Sequence, residues 1–338
     1  MLLMLTVLPP QRGALDLYYS EARSQKLLPS VRATARMVWF IYLAFTAASV
    51  LALWLAGAPG WQAINHGMAG IATGGFTITA DGLAGANTAV KLVYIVIMLA
   101  GALSFYTHYR VWHERQPQLW WQGSEYRLFW SVIVFGGVLM VVQEVWTDQL
   151  GPVDSLLRWV SAVTTTGALG EIPRAWPTGT LWLLMLAMCV GGIAGSTTGG
   201  VKMLRVVTLY KSMVWGLADL LRQPHELLRL TFDGEALAAR DAEQRVRAAV
   251  TLVCAWFLIA ALGVWAITWC VPADTPLDEI LFDVLSAQSS EGVTTGLANA
   301  DLSAPGKLVL MALMWMGRLE VMPVLVLIVA AMRRSGRL

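Results

Sequence analysis

The sequence predicts an all-α polytopic membrane protein built from tandem span/half-helix/span units, and three observations predict it. Composition is the first: 57% of the 338 residues are apolar, 14% are charged and 16 are tryptophan, far from the balance of an ordinary soluble domain. The second is a series of long apolar segments near 37–56, 88–109, 128–147, 179–212, 249–271 and 307–332. The third is a short repeat between the members of successive pairs. Ser161-Ala-Val-Thr-Thr-Thr-Gly-Ala-Leu-Gly170 aligns without gaps with Ala69-Gly-Ile-Ala-Thr-Gly-Gly-Phe76 and with Ser286-Ala-Gln-Ser-Ser-Glu-Gly-Val293. This puts Gly75, Gly167 and Gly292 in one column.

The chain opens on Met1–Leu8, which is apolar but too short for a signal sequence and lacks a basic leader. It runs into Pro9-Pro10 and reads as the tail of a longer helix. Residues 9–36 carry Arg12, Arg23, Lys26, Arg32 and Arg36 and read as a loop. In each repeat a proline (Pro59, Pro152, Pro276) stands about one short helix upstream of the glycine. Proline followed by early acids, as at Pro152–Asp154 and Pro276–Glu279, is a helix start signal. The interval to the glycine is too short for the ~20 residues that a crossing needs. Each is therefore expected to be a half-helix that enters the membrane and turns back.

The C-terminal end of such a half-helix presents the negative end of its dipole to the loop, which favours a cation. Glycine lets the backbone turn its carbonyls inward. Irregular backbone at membrane depth is tolerated where it is buried or lines a watery cavity, so the residues themselves point to a cation-coordinating pore loop. The candidate filter is Thr73, Gly74, Gly75, Thr165, Thr166, Gly167, Ser290, Glu291 and Gly292.

Charge distribution sets the expected orientation. Nineteen Lys and Arg fall in 9–36, 110–127, 202–248 and the C-terminus, whereas the opposite side holds Lys91, Arg158, Arg174 and Lys307. The positive-inside rule then places both termini in the cytoplasm and lets the half-helices enter from outside. Asp81, Glu171 and Asp301 would stand just outside the loops, either concentrating cations or simply solvated. Trp54, Trp61, Trp146, Trp176 and Trp269 near span ends fit an interfacial belt.

Two features break the apolar spans. Gly191-Gly-Ile-Ala-Gly-Ser-Thr-Thr-Gly-Gly200 precedes Val201 and Lys202. Its spaced glycines at 191, 195 and 199 match a helix-packing pattern. Two glycine pairs around Ser196-Thr-Thr198 exceed what packing requires, at a cost of ~0.5–1 kcal/mol per residue relative to alanine. The segment is therefore expected to be a non-helical, movable intramembrane loop that obstructs the cytoplasmic side of the path, comprising Gly191, Gly192, Gly195, Ser196, Gly199, Gly200 and Lys202. Arg318 and Glu320 lie midway along the last apolar run, too far apart around a helix to pair. Arg318 either caps carbonyls of a neighbouring half-helix or stands as a fixed positive charge below the loops. Glu291 is expected to point away from the ions, towards a donor behind its loop, because a bare carboxylate in the path would hold cations too tightly.

Cys189, Cys254 and Cys270 show no metal or disulfide spacing, and the histidines are scattered at 66, 108, 113 and 225. With no nucleotide-binding glycine loop and no nucleophile constellation, the expectation is a chain that is not an enzyme, binds no cofactor and has no nucleic-acid partner.

The repeated units, the Gly-Gly-x-Ala-Gly-Ser-Thr-x-Gly-Gly-x-Lys signature at 191–202 and Met-Gly-Arg-Leu-Glu at 316–320 resemble the TrkH/KtrB family of potassium uptake proteins over nearly the whole chain. The resemblance implies four pseudo-repeats around a pseudo-fourfold pore, with a potassium ion (K+) at the filter carbonyls, 191–200 as the gating loop and Arg318 as the pore arginine. It also implies a multi-pass protein of the cytoplasmic (inner) membrane, a homodimer in membrane lipid, regulated by a cytosolic nucleotide-binding RCK-type subunit that docks on the basic face of 202–248. Laid on this family, 1–36 is the tail of a first repeat plus a loop, and 37–110 is the second repeat. Residues 128–212 are the third repeat, 213–248 a cytoplasmic linker and 249–333 the fourth repeat. Two residues depart from the pattern: Glu291 precedes a filter glycine, and Ala168 replaces the aromatic that Phe76 supplies. With three loops where the family has four, the alternative function is a non-conducting truncated remnant that acts as an interaction subunit.

Overall fold

Helices account for nearly all regular structure in the computed structural model, which describes residues 31–78, 82–147, 150–168, 177–221, 231–233, 235–236 and 238–319. Met1–Leu8, most of the predicted loop 9–36, Asp81, Glu171, Arg174, Trp176 and Glu320 lie outside them, as does the end of the last span. The helices are α1 (Val31–Leu55), α2 (Gly60–Ile71), α3 (Thr88–Ala102), α4 (Phe105–Glu114), α5 (Ser124–Ser131), α6 (Gly137–Trp146), α7 (Pro152–Val163) and α8 (Thr178–Val190). They continue with α9 (Met203–Leu220), α10 (Ala239–Thr268), α11 (Leu277–Ser289) and α12 (Ala304–Leu319). A two-stranded antiparallel hairpin, β1 (Thr231–Phe232) and β2 (Glu235–Ala236), stands between α9 and α10.

Residues 31–36, expected in a loop, already form the first turns of α1. Among the described residues, three helical stretches are long and apolar enough to cross a membrane: Arg36–Leu55, Ser124–Trp146 and Arg240–Thr268. The second is continuous because a π-helical stretch, Val132–Gly136, joins α5 to α6. There the Trp159 indole donates to Val132 O (3.2 Å) and packs where a side chain on Gly136 would clash.

The half-helices α2, α7 and α11 have 12, 12 and 13 residues, about 18–20 Å at the α-helical rise. That is well short of a ~30 Å hydrocarbon core. Pro152 occupies the first turn of α7, while Pro59 and Pro276 sit one step earlier as N-caps of α2 and α11. Each half-helix packs between the helices that precede and follow it: α2 between α1 and α3, α7 between α6 and α8, α11 between α10 and α12. Successive units join through α3 against α7 and α8 against α11. Tyr94, Met98, Leu157, Met185 and Met188 are fully buried in the core these contacts form.

One predicted span is corrected. Residues 88–109 do not form a single helix: α3 and α4 are bent by 95° at Leu103–Ser104. No glycine or proline stands at the bend itself. Its cause is the distant segment 191–202, which takes the backbone groups that a straight helix would pair internally.

Candidate functional site

The three half-helices end in the same backbone. Two residues before each column glycine stands a left-handed hydroxyl residue, Thr73 (φ 47°), Thr165 (φ 49°) or Ser290 (φ 62°). Gly75, Gly167 and Gly292 follow at φ 62°, 72° and 87°. Left-handed backbone costs a residue with a side chain about 1–2 kcal/mol, so its recurrence at one register position marks an imposed shape. Alternating handedness gathers like backbone dipoles on one side, at the negative ends of three helix dipoles.

The loops also touch. A Cβ built on Gly75 would stand 1.8 Å from Thr166 O, and one on Gly167 would stand 1.9 Å from Glu291 O. Only glycine permits that approach, so each loop borders the next in chain order. A Cβ on Gly292 meets nothing within 4 Å, which leaves the outer side of the third loop open among the described residues.

Side chains hold each loop to its half-helix. Ser161 Oγ accepts from Ala168 N (2.8 Å), and Ser286 Oγ donates to Val293 O (2.5 Å). The Thr166 hydroxyl turns back to Thr164 Oγ1 (2.7 Å). Asp283 is the strongest fastening: its carboxylate accepts from Thr294 Oγ1 (2.5 Å), Thr295 N (2.8 Å), Thr295 Oγ1 (3.0 Å) and Ala298 N (3.0 Å). Charge-assisted bonds of this kind are about twice as strong as neutral ones.

Residues 191–202 are non-helical between α8 and α9, and they reach the ends of all three half-helices. Thr197 Oγ1 lies 3.0 Å from Ile71 O and accepts from Thr73 Oγ1 (3.2 Å). Gly199 N donates to Thr165 Oγ1 (2.7 Å). A Cβ on Gly199 would stand 1.8 Å from Ser289 O. The Lys202 ammonium folds back onto Thr198 O (2.5 Å) and Ser196 O (3.4 Å), tying the segment to itself.

This segment and the α3/α4 bend satisfy each other. Gly101 O accepts from Thr197 N (3.2 Å), Ala102 O accepts from Ile193 N (3.1 Å), and Phe105 N donates to Gly195 O (3.2 Å). A buried unpaired backbone group costs about as much as a lost hydrogen bond, so neither break stands without the other. Gly191 and Gly200 add close contacts, a Cβ on Gly191 falling 2.3 Å from Gly199 O and one on Gly200 falling 2.9 Å from Met188 O. A Cβ on Gly192 would crowd Thr198, and one on Gly195 would crowd Ser104.

Arg318 is exposed, and its guanidinium donates to Ala72 O (3.2 Å), at the C-cap of α2. It therefore links the last unit to the first described one. Glu291 is 5% exposed, and its Oε2 has no hydrogen-bond partner among the described residues. The donor expected behind its loop does not meet that oxygen among the described residues. Asp301 is exposed on a turn, where its amide donates to Asn299 Oδ1 (2.8 Å). Trp54, Trp61, Trp146 and Trp269 are exposed, as a lipid-facing belt requires.

A profile of the TrkH family, described as cation transport proteins, matches residues 1–148 and 151–336. The chain belongs to this family. Like other TrkH-family members it is a multi-pass membrane protein. It is 30% identical over 323 residues to an uncharacterized cation transporter of Methanocaldococcus jannaschii, covering 95% of this chain and 65% of that relative. It is also 30% identical over 345 residues to the Trk system potassium uptake protein TrkH of Vibrio parahaemolyticus, covering 96% of this chain and 68% of that one. The crystal structure of the potassium transporter TrkH from Vibrio parahaemolyticus superposes with a TM-score of 0.77 at 26% identity, covering 89% of this chain and 65% of that one. The chain thus spans about two thirds of the length of the relatives it matches.

Several residues in this TrkH-family site escape sequence reasoning. Thr197 is inconspicuous between its neighbours. Asp283 had a signal: nine residues before each column glycine stands a titratable residue, His66, Arg158 or Asp283. Lys91 and Arg158, counted only as outside charges, form ion pairs, Lys91 with Asp154 (2.6 Å) and Arg158 with Glu144 (3.2 Å).

Proposed function

We propose that this chain forms the greater part of a potassium, or monovalent cation, pore in the cytoplasmic membrane. The backbone carbonyls of residues 73–75, 165–167 and 290–292 act as its filter. The observation that carries this reading is the contact of successive loops through glycine: carbonyls of Thr166 and Glu291 stand against the Cα atoms of Gly75 and Gly167. A ring of carbonyls can replace an ion's hydration shell, and conduction requires that the ion also leave. The cation is the substrate, and the chain binds no cofactor in this reading. The names of the relatives support it, since they are a cation transporter and a potassium uptake protein.

Segment 191–202 is proposed as the gate, because it bridges the ends of all three half-helices at the level where an ion leaving the loops would pass. Arg318 is proposed as a barrier beneath them. Its bond joins the last unit to the C-cap of α2, and a guanidinium held there would combine the two roles open to it from sequence. The second, third and fourth pore repeats are assigned to residues 37–110, 128–212 and 249–333, with 213–248 as the cytoplasmic linker. Both termini are placed in the cytoplasm. Exposed Arg240, Arg245 and Arg247 offer a docking face for a cytosolic RCK-type subunit, and the chain is proposed to work as a homodimer.

The test is potassium uptake in cells without their own potassium transporters. Deleting residues 193–198, or Arg318→Ala, should raise uptake at equal membrane levels. Lower uptake from both variants, with protein levels maintained, would remove the gate and barrier assignments.

One observation favours a second reading. Gly292 borders no neighbour where Gly75 and Gly167 do, so three loops at fourfold spacing enclose three sides of a path. Unless a further loop from another segment or chain closes the fourth side, these residues serve as a non-conducting interaction subunit. The 338-residue chain alone should then give no selective uptake, and co-expression of a further span/half-helix/span unit should restore it. Selective uptake by the chain as a demonstrated monomer would remove this reading.

A further inference from the structure

We propose that the cytoplasmic hairpin β1–β2 positions the intramembrane segment 191–202, acting through Asp233, the N-terminus of α5 and Glu125. The route is an unbroken chain of contacts. Asp233 Oδ1 accepts from Ser124 N (2.6 Å) and from Ser124 Oγ (2.6 Å), 109 residues away in sequence. The first amides of a helix have no internal partner, and Gly123 (φ 97°) turns the chain so that a carboxylate from outside α5 can take one. One residue on, Glu125 is 5% exposed and its Oε1 accepts from Ala194 N (2.7 Å), inside the segment. Two carboxylates thus sit on one helix start, where the dipole favours them. One reaches the helix start from the hairpin and the other reaches from it to residue 194.

The hairpin also holds the far end of the segment. Phe232 is 7% exposed and packs with Val207 of α9 and with Leu128, Ala242 and Val246. The Lys211 ammonium and the Arg245 guanidinium lie 4.7 and 4.9 Å from its ring centroid. Because α9 begins at Met203, where the segment ends, a displaced hairpin pulls on the segment at Ala194 through α5 and at Met203 through α9. Asp233 and Glu125 are positioning residues, since each acts by bonding the backbone of another segment.

The experiment is hydrogen exchange of the full chain in lipid nanodiscs, followed by mass spectrometry and paired with uptake in cells. The consequence for flux rests on the proposed gate, whereas the exchange readout does not. Glu125→Ala should speed exchange in the peptide covering 191–202 by about tenfold, the scale expected on losing a bond to a charged acceptor. Asp233→Ala should speed the same peptide by about three- to tenfold, while Asp233→Asn, which keeps an acceptor for Ser124, should restore protection. Around Ala194 the double variant should be no faster than Glu125→Ala alone. If Asp233→Ala loosens only the hairpin and leaves 191–202 protected, the proposal is wrong. It is equally wrong if Asp233→Ala and Asp233→Asn both speed exchange throughout α2 and α11, which marks general unfolding. Faster exchange in 191–202 with unchanged uptake would uphold the positioning role and remove the gate.

Discussion

In the loop after α11, Asp283 gathers two hydroxyls and two backbone amides of residues 294–298 onto one carboxylate. In the loop after α7, the same register position is Arg158, which turns to Glu144 of α6. The two loops nonetheless share their left-handed pair, Thr165 with Gly167 and Ser290 with Gly292. The difference follows from their neighbours. The loop after α7 lies against Gly75 on one side, Glu291 on the other and Gly199 beneath, so contacts from outside hold it. The loop after α11 has, among the described residues, nothing within 4 Å of a Cβ placed on Gly292, and it carries its own internal clamp. One backbone shape can thus be imposed by crowding or by hydrogen bonding, and only the second leaves a strong mark in side-chain chemistry.

The widest separation between the loops should come from the glycines. Gly167→Ala forces a Cβ into Glu291 O and adds left-handed strain, together about 3–5 kcal/mol. Gly292→Ala adds only the strain, about 1–2 kcal/mol. Thermal melts in detergent should show the first variant far less stable than the second. Equal losses would mean that Gly292 is bordered as closely as Gly167. Asp283→Ala comes next, at about 2–4 kcal/mol, because it leaves two amides without their acceptor. Exchange of residues 293–298 should rise selectively, whereas Arg158→Ala should leave residues 165–168 protected while loosening α6 from α7. Exposure of 165–168 in the Arg158 variant would erase the contrast. The smallest effect is expected from Ser161→Ala, about 1 kcal/mol for one neutral bond, seen as a slight drop in melting temperature. A loss as large as that of Asp283→Ala would show that the loop after α7 depends on its hydroxyl rather than on its neighbours.

The sequence exposes the parts of this design that rest on backbone permission. The three column glycines and the glycine-dense run at 191–200 are visible because few residue types tolerate those conformations. The half-helices are visible because proline marks their starts, with early acids in the second and third, within too short a run. Pairings made across the fold are hidden. The bend at Leu103–Ser104 lies in a continuous apolar stretch and exists because residues 193, 195 and 197 supply its hydrogen bonds. Lys91 and Arg158 count as outside charges in a tally by side, and only packing shows them meeting Asp154 and Glu144. The register position of His66, Arg158 and Asp283 is hidden differently. Three chemistries at one place do not look like a repeat, because each serves a different neighbour.

The mutual dependence of the two broken spans carries a consequence for biosynthesis. Gly101 leaves the ribosome 96 residues before Thr197, its partner across the break, an interval of roughly 5–20 s at ordinary rates of synthesis. During that time α3 and α4 have no distant groups to bond and should insert as one straight helix through residue 109. The 95° bend is then a late event, made when the second broken span arrives. Chains arrested before residue 191 should keep Tyr106 inside the bilayer, shielded from a water-soluble footprinting reagent, and chains arrested beyond residue 220 should expose it. Exposure of Tyr106 in the shorter chains would mean that the bend is written locally.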